Sequence, residues 1–565
     1  MDQKSPDVIA VKDLSIAFKS RKKWTTIVDQ INFSIPKSTV LAIVGESGSG
    51  KSVTAKAIMG LLPLKTTKIS GQILFNSFDI TNQKGRGFRY LRGKKIGMVF
   101  QEPMSALNPS MKLGSQVLEV LLTHEKQSKK QAKDKVLALF KAVGLSDQDV
   151  LYNKYPHQIS GGQKQRVVIA MAIACKPDLL IADEPTTALD VTVQRQIIDL
   201  LIDLQNTYHI SILFISHDLA LVSQIADKIL VLYQGRQIEY SSCESLFRSP
   251  KQTYTKALLE SRPNNQKHLR RLPTVNSIIE NSFEPEVLTI EQIQSTRKKI
   301  YQSAPILRVV DIHKQYITNQ GFWNKKIGYK AIDGVSFDIF QGETKGLVGE
   351  SGCGKSTLAN LILGLDKATS GHIYYKGDDI TLMNYSHLKG LRKDIQVIFQ
   401  DPYASLNPKM TVGQILSEPL RVHKICKNQK QAVKEVKKIL FAVGLDLDAI
   451  NKYPHEFSGG QKQRIGIARA ISLQPKIIIC DESVSALDIS IQAQVLNLLN
   501  DLKDQFGFTY LFISHDLSVV RYMSDEVLVI NKGKIEEKGQ ADELFDNPKK
   551  AYTKRLIDAI PKGIS

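Results

Sequence analysis

The chain has 565 residues, 42% of them apolar and 23% charged, enough for at least two full cores and too aliphatic for a disordered polymer. Its net charge of +20 invites a polyanionic partner, but apart from short runs such as Arg21, Lys22, Lys23 and Arg297, Lys298, Lys299 the basic residues are interspersed with acidic ones, as on a solvated surface. The opening MDQKSPDVIAVKD lacks an apolar h-region and no apolar run approaches the ~18 residues of a membrane span, which argues against a secreted or membrane-spanning chain. The cysteines (Cys175, Cys243, Cys353, Cys426, Cys480) show neither CxxC spacing nor a nearby His pair, and read as reduced thiols of a cytosolic protein.

In chain order, Val40 to Gly45 (VLAIVG) is a short β-branched run ending in glycine, and AKAIMGLL beyond it has helical spacing. A strand, a glycine-rich turn and a helix are predicted. In the turn, Gly45, Glu46, Ser47, Gly48, Ser49 and Gly50 bring backbone N–H groups to a polyphosphate, Lys51 reaches the terminal phosphates, and the Ser52 hydroxyl suits Mg²⁺. Further on, LLIAD reads as a buried parallel strand with a carboxylate at its carboxyl end. Asp183 there is expected to hold Mg²⁺ through its water shell, and Glu184 to serve as general base or water-orienting group. An acidic pair ending an apolar run more often marks a strand-to-loop transition; the preceding phosphate loop reverses that reading. His217 follows the apolar ILFIS and is placed to reach a γ-phosphate from the sheet's carboxyl edge.

All of this recurs. VGESGSGKS returns as VGESGCGKS, giving Gly349, Glu350, Ser351, Gly352, Cys353, Gly354, Lys355 and Ser356, and LLIADEPTTALD returns as IIICDESVSALD, giving Asp481 and Glu482. LFISHDL appears twice, giving His515, and FQEPMSALNP returns as FQDPYASLNP. Two domains are expected, at 1–262 and 305–565. The unrepeated stretch 263–304 between them reads as a linker with a short helix near Thr289 to Lys299.

The blocks GESGxGKS, FQ, SGGQ, DE, ALD and SHD, in this order in both halves, resemble the ATP-binding-cassette (ABC) family over nearly the whole chain outside the linker. The resemblance implies an α/β fold: two P-loop NTPase domains in tandem, each a RecA-like parallel-sheet core with an antiparallel β subdomain and a helical signature subdomain. SGGQ places a serine and two glycines at a helix start, where free N–H groups and the positive dipole end face an anion. By resemblance, Lys51, Ser52, Gln101, Asp183, Glu184 and His217 form one ATP site with Ser458, Gly459, Gly460 and Gln461. The reciprocal site joins Lys355, Ser356, Gln400, Asp481, Glu482 and His515 to Ser160, Gly161, Gly162 and Gln163. Gln101 and Gln400 thereby join the expected Mg²⁺ ligands and the catalytic set. Phe18 and Tyr316 match the aromatic that stacks on adenine, with core packing as the rival reading. Asp190 and Asp488 match the loop linking the two sites. The halves depart from each other at Pro185 and Ser483, where a change in loop stiffness is expected, and at Met171 and Arg469, where a local polar contact is in question.

Text outside the ATP motifs is similar to the oligopeptide/dipeptide importers, and the whole chain resembles fused ATPases such as those of bacterial microcin C and peptide uptake systems. IAMAIACKPDLLIADEPTTALDVTVQ resembles one of their ATPases and IGIARAISLQPKIIICDESVSALDISIQAQV its partner. SPKQTYTKALLESRP and NPKKAYTKRLIDAIP resemble their tail. Separate ATPases of those importers often carry a cysteine cluster beyond the tail; here no cysteine follows Cys480 and none lies between Cys243 and Cys353, so no iron–sulfur cluster is expected. The alternative, a tandem cassette factor acting on ribosomes or nucleic acid, is disfavoured because HDLALV and HDLSVV replace the HDRxFL of such factors and the linker is only moderately charged. The resemblance implies an ATPase at the cytoplasmic face of a bacterial inner membrane, with two permease subunits and a substrate-binding protein as partners. Its surface toward the permeases is expected around Gln101 to Asn108 and Gln400 to Asn407.

Overall fold

The computed structural model describes residues 7–20, 23–81, 83, 85–187, 189–261, 263, 268–320, 325–381, 383, 385–401, 405–485 and 487–560. These form two compact units, the first carried mainly by Met1–Leu259 and the second by Glu260–Ser277 with Asn281–Ile560.

In the first unit the apolar runs become the centre of one sheet. Val40–Val44, Leu179–Asp183 and Ser211–Ile215 are buried at every position, as strands covered on both faces must be. Ile96–Val99, Leu179–Asp183, Ser211–Ile215, Val40–Val44 and Lys228–Tyr233 lie side by side in parallel, and Arg236–Ser242 closes this edge antiparallel. The register pairs Ile43 and Asp183 with Ile215, so the phosphate loop, the acidic pair and the histidine loop leave the same carboxyl edge. Asp7–Ser20, Lys23–Pro36, Thr67–Phe75 and Phe78–Asp79 extend the sheet as an antiparallel layer. Helices Leu113–His124, Lys129–Ala142 and Gln148–Tyr152 precede the signature helix Gly161–Ile173.

The second unit repeats the plan. Ile395–Ile398, Ile477–Asp481, Thr509–Ile513, Thr344–Val348 and Glu526–Asn531 run parallel, with Lys534–Gln540 antiparallel at the edge. A separate antiparallel sheet holds Lys325–Ile339, Leu307–Gln320, Ser370–Tyr375 and Asp378–Asp379. The helix expected in the linker is Ile290–Ile300, started by a Thr289 capping box with Gln292. Among the described residues no helix is long and apolar enough to cross a membrane.

Candidate nucleotide-binding and hydrolysis sites

Each phosphate loop is held open by backbone that only glycine tolerates. Gly45 and Gly349 take φ of 150° and 156°, and a β-carbon there would lie 2.1 and 2.2 Å from the carbonyl oxygens of Leu232 and Ile530. Gly50 and Gly354, both left-handed, cap helices Lys51–Ile58 and Lys355–Ile362, whose positive ends thus open into the loop. Lys51 is 5% exposed and donates from Nζ to the carbonyls of Gly45 and Glu46 at 2.7 and 2.9 Å. Lys355 does the same to Gly349 and Glu350 at 2.7 and 3.0 Å. A buried ammonium poised on loop carbonyls is a cation ready for transfer to phosphate oxygens.

Beside the loop, the Ser52 hydroxyl donates to Asp183 Oδ1 at 2.9 Å, and burial pushes the Asp183 carboxyl above its ordinary range. Asp481 is shifted upward too, by burial and then by the neighbouring Glu482 charge, and its Oδ1 is buried without a hydrogen-bond partner. A desolvated carboxylate oxygen next to a serine hydroxyl is the donor set that a hard divalent cation sharing phosphate oxygens prefers.

The next residue binds the rest of the predicted set together. Gln101 Nε2 donates to Glu184 Oε2 at 2.9 Å, and His217 Nδ1 lies 3.5 Å from Glu184 Oε1. Gln400 Nε2 donates to Glu482 Oε2 at 2.7 Å, with His515 Nδ1 at 3.4 Å. Burial alone would raise the Glu184 carboxyl; the hydrogen bond and charge of His217, with Lys51 and Thr187, overcome this and bring it down to about 2. Glu482 is likewise lowered against its burial, through His515 and Lys355.

In the signature segments, Ser160 and Ser458 cap helices Gly161–Ile173 and Gly459–Ile471 in capping boxes with Gln163 and Gln461. The two glycines differ in purpose. A β-carbon at Gly162 or Gly460 would lie 2.8 or 2.5 Å from Val193 or Ile491, whereas at Gly459 it would meet nothing within 4 Å, leaving that glycine open to a ligand. Asp190 caps helix Val191–Tyr208 by accepting from Val193 N–H at 2.9 Å, and Asp488 stands at the same place before Ile489–Phe506.

Phe18 packs partly against the first core, and Tyr316 is 39% exposed with its hydroxyl donating to Asp366 at 2.7 Å. Replacing Pro185 by Ser483 leaves the turn unchanged, since Glu184 and Glu482 have φ of 48° and 49°. Arg469, where the first half has Met171, donates to the Ser405 carbonyl and so ties the signature helix to the segment after Gln400. Residues 402–404 of that segment lie outside the described residues. Sequence motifs missed Tyr254 and Tyr552, whose hydroxyls reach the phosphate loops; their recurrence in the repeated tail block was the available signal.

Residues 28–187 and 332–485 match the ABC transporter family, and 238–285 and 537–563 match the oligopeptide/dipeptide transporter C-terminal region. The chain is 42% identical to glutathione import ATP-binding protein GsiA of Escherichia coli (strain K12), over 98% of this chain and 90% of that one. It is 41% identical to the protein of the same name from Pectobacterium atrosepticum, over 98% of this chain and 89% of the relative. With two ABC transporter matches, each followed by that C-terminal region, the chain belongs to the ABC transporter ATPases of the oligopeptide/dipeptide importer type.

Proposed function

We propose that this chain couples ATP hydrolysis to the import of a peptide-class solute across a bacterial inner membrane. The chain would act at the cytoplasmic face, on two permease subunits fed by a substrate-binding protein. The cargo named for its relatives, glutathione, is itself a short peptide, and the C-terminal region after each cassette supports the same solute class. The observation that carries the coupling role is duplication: lysine, serine, glutamine, aspartate, glutamate and histidine stand in bonded sets in both units.

Each ATP would lie between one unit's phosphate loop and the other unit's SGGQ helix start, Ser458 to Gln461 facing the first loop and Ser160 to Gln163 the second. Phe18 and Tyr316 would flank the adenines. Ser52 with Asp183, and Ser356 with Asp481, would hold Mg²⁺, with Gln101 and Gln400 reaching it directly or through water. The ion would neutralise charge on the phosphate oxygens. A carboxyl held near 2 is a weak base but a strong acceptor, so Glu184 is suited to fixing the attacking water more than to stripping its proton. His217 stands beside Glu184 and His515 beside Glu482, and each would contact the γ-phosphate of its own site. Closure on ATP and release after hydrolysis would be passed to the permeases around Gln101 to Asn108 and Gln400 to Asn407.

The double variant Glu184→Gln, Glu482→Gln tests this on the purified chain. Hydrolysis is expected to fall at least about 100-fold while two ATP remain bound per chain. Turnover near the wild-type rate would remove these carboxylates from the mechanism.

A further inference from the structure

The tail that follows each cassette ends on the phosphate loop. In the first unit, helix Thr253–Glu260 buries Tyr254, 5% exposed, and its hydroxyl accepts a hydrogen bond from the Glu46 backbone N–H at 3.4 Å. The Tyr254 ring packs 4.2 Å from that of Tyr233, at the end of a core strand. In the second unit, helix Ala551–Asp558 buries Tyr552, also 5% exposed, and the Glu350 N–H donates to its hydroxyl at 3.1 Å.

A carboxylate sets the approach of each helix. Glu239 accepts from the backbone N–H groups of Lys251 and Gln252 at 3.1 and 3.2 Å, and Glu537 from those of Lys549 and Lys550 at 2.8 and 3.0 Å. Such bonds to an ionised acceptor are stronger than neutral ones and fix the chain just before the tyrosine. The gripped loop residue is the same one in both units, and its carbonyl already holds the lysine: Glu46 with Lys51 at 2.9 Å, Glu350 with Lys355 at 3.0 Å. Both backbone polar groups of this residue are therefore held, one by the phosphate-binding lysine and one by the tail.

We propose that Tyr254 and Tyr552 are positioning residues for ATP: their hydroxyls fix the entry of each phosphate loop in its nucleotide-receiving form, and Glu239 and Glu537 make that order depend on a docked tail. The tail thereby becomes a support of the nucleotide site, and displacement of the tail lowers affinity for ATP. This rests on the ATP sites proposed above.

The test uses the purified full chain carrying Tyr254→Phe with Tyr552→Phe, which keeps both rings and removes only the hydroxyls. The dissociation constant of a fluorescent ATP analogue and the KM for ATP are expected to rise about three- to tenfold, the worth of one hydrogen bond, with kcat at saturating ATP and the unfolding temperature held. Glu239→Gln with Glu537→Gln, which leaves the tyrosines in place, is expected to raise KM in the same direction. An unchanged KM in both variants, or a lowered unfolding temperature with unchanged KM, overturns the proposal by assigning the tail a structural role alone. Failure of the wild-type chain to bind the analogue overturns the ATP sites and this proposal with them.

Discussion

Glu184 and Glu482 adopt a left-handed backbone, φ 48° and 49°, that costs a residue with a β-carbon roughly 1–2 kcal/mol. The cost is met in both units by the same bond, from the glutamate N–H to the carbonyl of the last residue of the neighbouring strand, Ile215 or Ile513, at 2.9 Å. The conformation turns the carboxylate toward Gln101 or Gln400 and His217 or His515. Because the folded Glu184 carboxyl titrates near 2 against an ordinary 4.5, its contribution to stability is complete above about 4.5 and is lost as pH falls from there toward 2. Denaturant titrations of wild type and Glu184→Gln across that window are therefore expected to converge on acidification; curves that stay parallel would contradict the depressed pKa. The identities of these residues were legible in the sequence because a phosphate loop and an acidic strand end are local patterns that recur in register. The backbone strain was not, since Glu-Pro and Glu-Ser carry no left-handed signature such as Gly or Asn would.

Elements that bond across long stretches of chain were the least legible. The stretch 263–304 has no repeat partner and no sustained periodicity, yet its described residues other than Ile278–Glu280 fall in the second unit. Leu272 is 2% exposed inside that unit's core, and its N–H and carbonyl exchange a pair of 2.8 Å hydrogen bonds with the Asn497 side chain on helix Ile489–Phe506. Arg270 and Arg271 pair with Asp504 and Asp501 on the same helix, and the Tyr522 hydroxyl donates to the Arg270 carbonyl at 3.0 Å. At the far end, Arg297 reaches Asp542, and Tyr301 donates to the buried Glu343, which also pairs with Lys345 at 2.7 Å. The helix so clasped starts just after Asp488, and Tyr522 lies on the helix that follows His515, so the clasp spans elements leading from the second site. Asp199, the counterpart of Asn497 in the first half, is exposed. Leu272→Ala is expected to destabilise the second unit by about 2–5 kcal/mol in calorimetric unfolding, with Asp199→Ala near zero as the control. Equal effects would remove the linker from that core.

At the scale of the whole chain, the two halves keep the same candidate site residues but not the same surroundings. Thr187 gives Glu184 a further hydrogen bond at 3.0 Å, whereas Ser485 bonds the Glu482 backbone carbonyl instead. Arg469 anchors the second signature helix where Met171 cannot. With the clasp on one unit only among the described residues, unequal turnover is expected from the single variants Glu184→Gln and Glu482→Gln in steady-state hydrolysis; equal residual rates would argue that the differences are silent. Overall architecture was readable because the internal repeat let each half test the other, and because parallel strands buried on both faces write themselves as LLIAD, ILFIS and VLAIV. The importer role is tested most directly by affinity capture of this chain from detergent-solubilised membranes of its own organism, with co-purifying proteins identified by mass spectrometry. Two polytopic membrane proteins retained with the chain, and stimulating its ATPase when reconstituted, are the expected result; ribosomal proteins or nucleic acid in their place would contradict it.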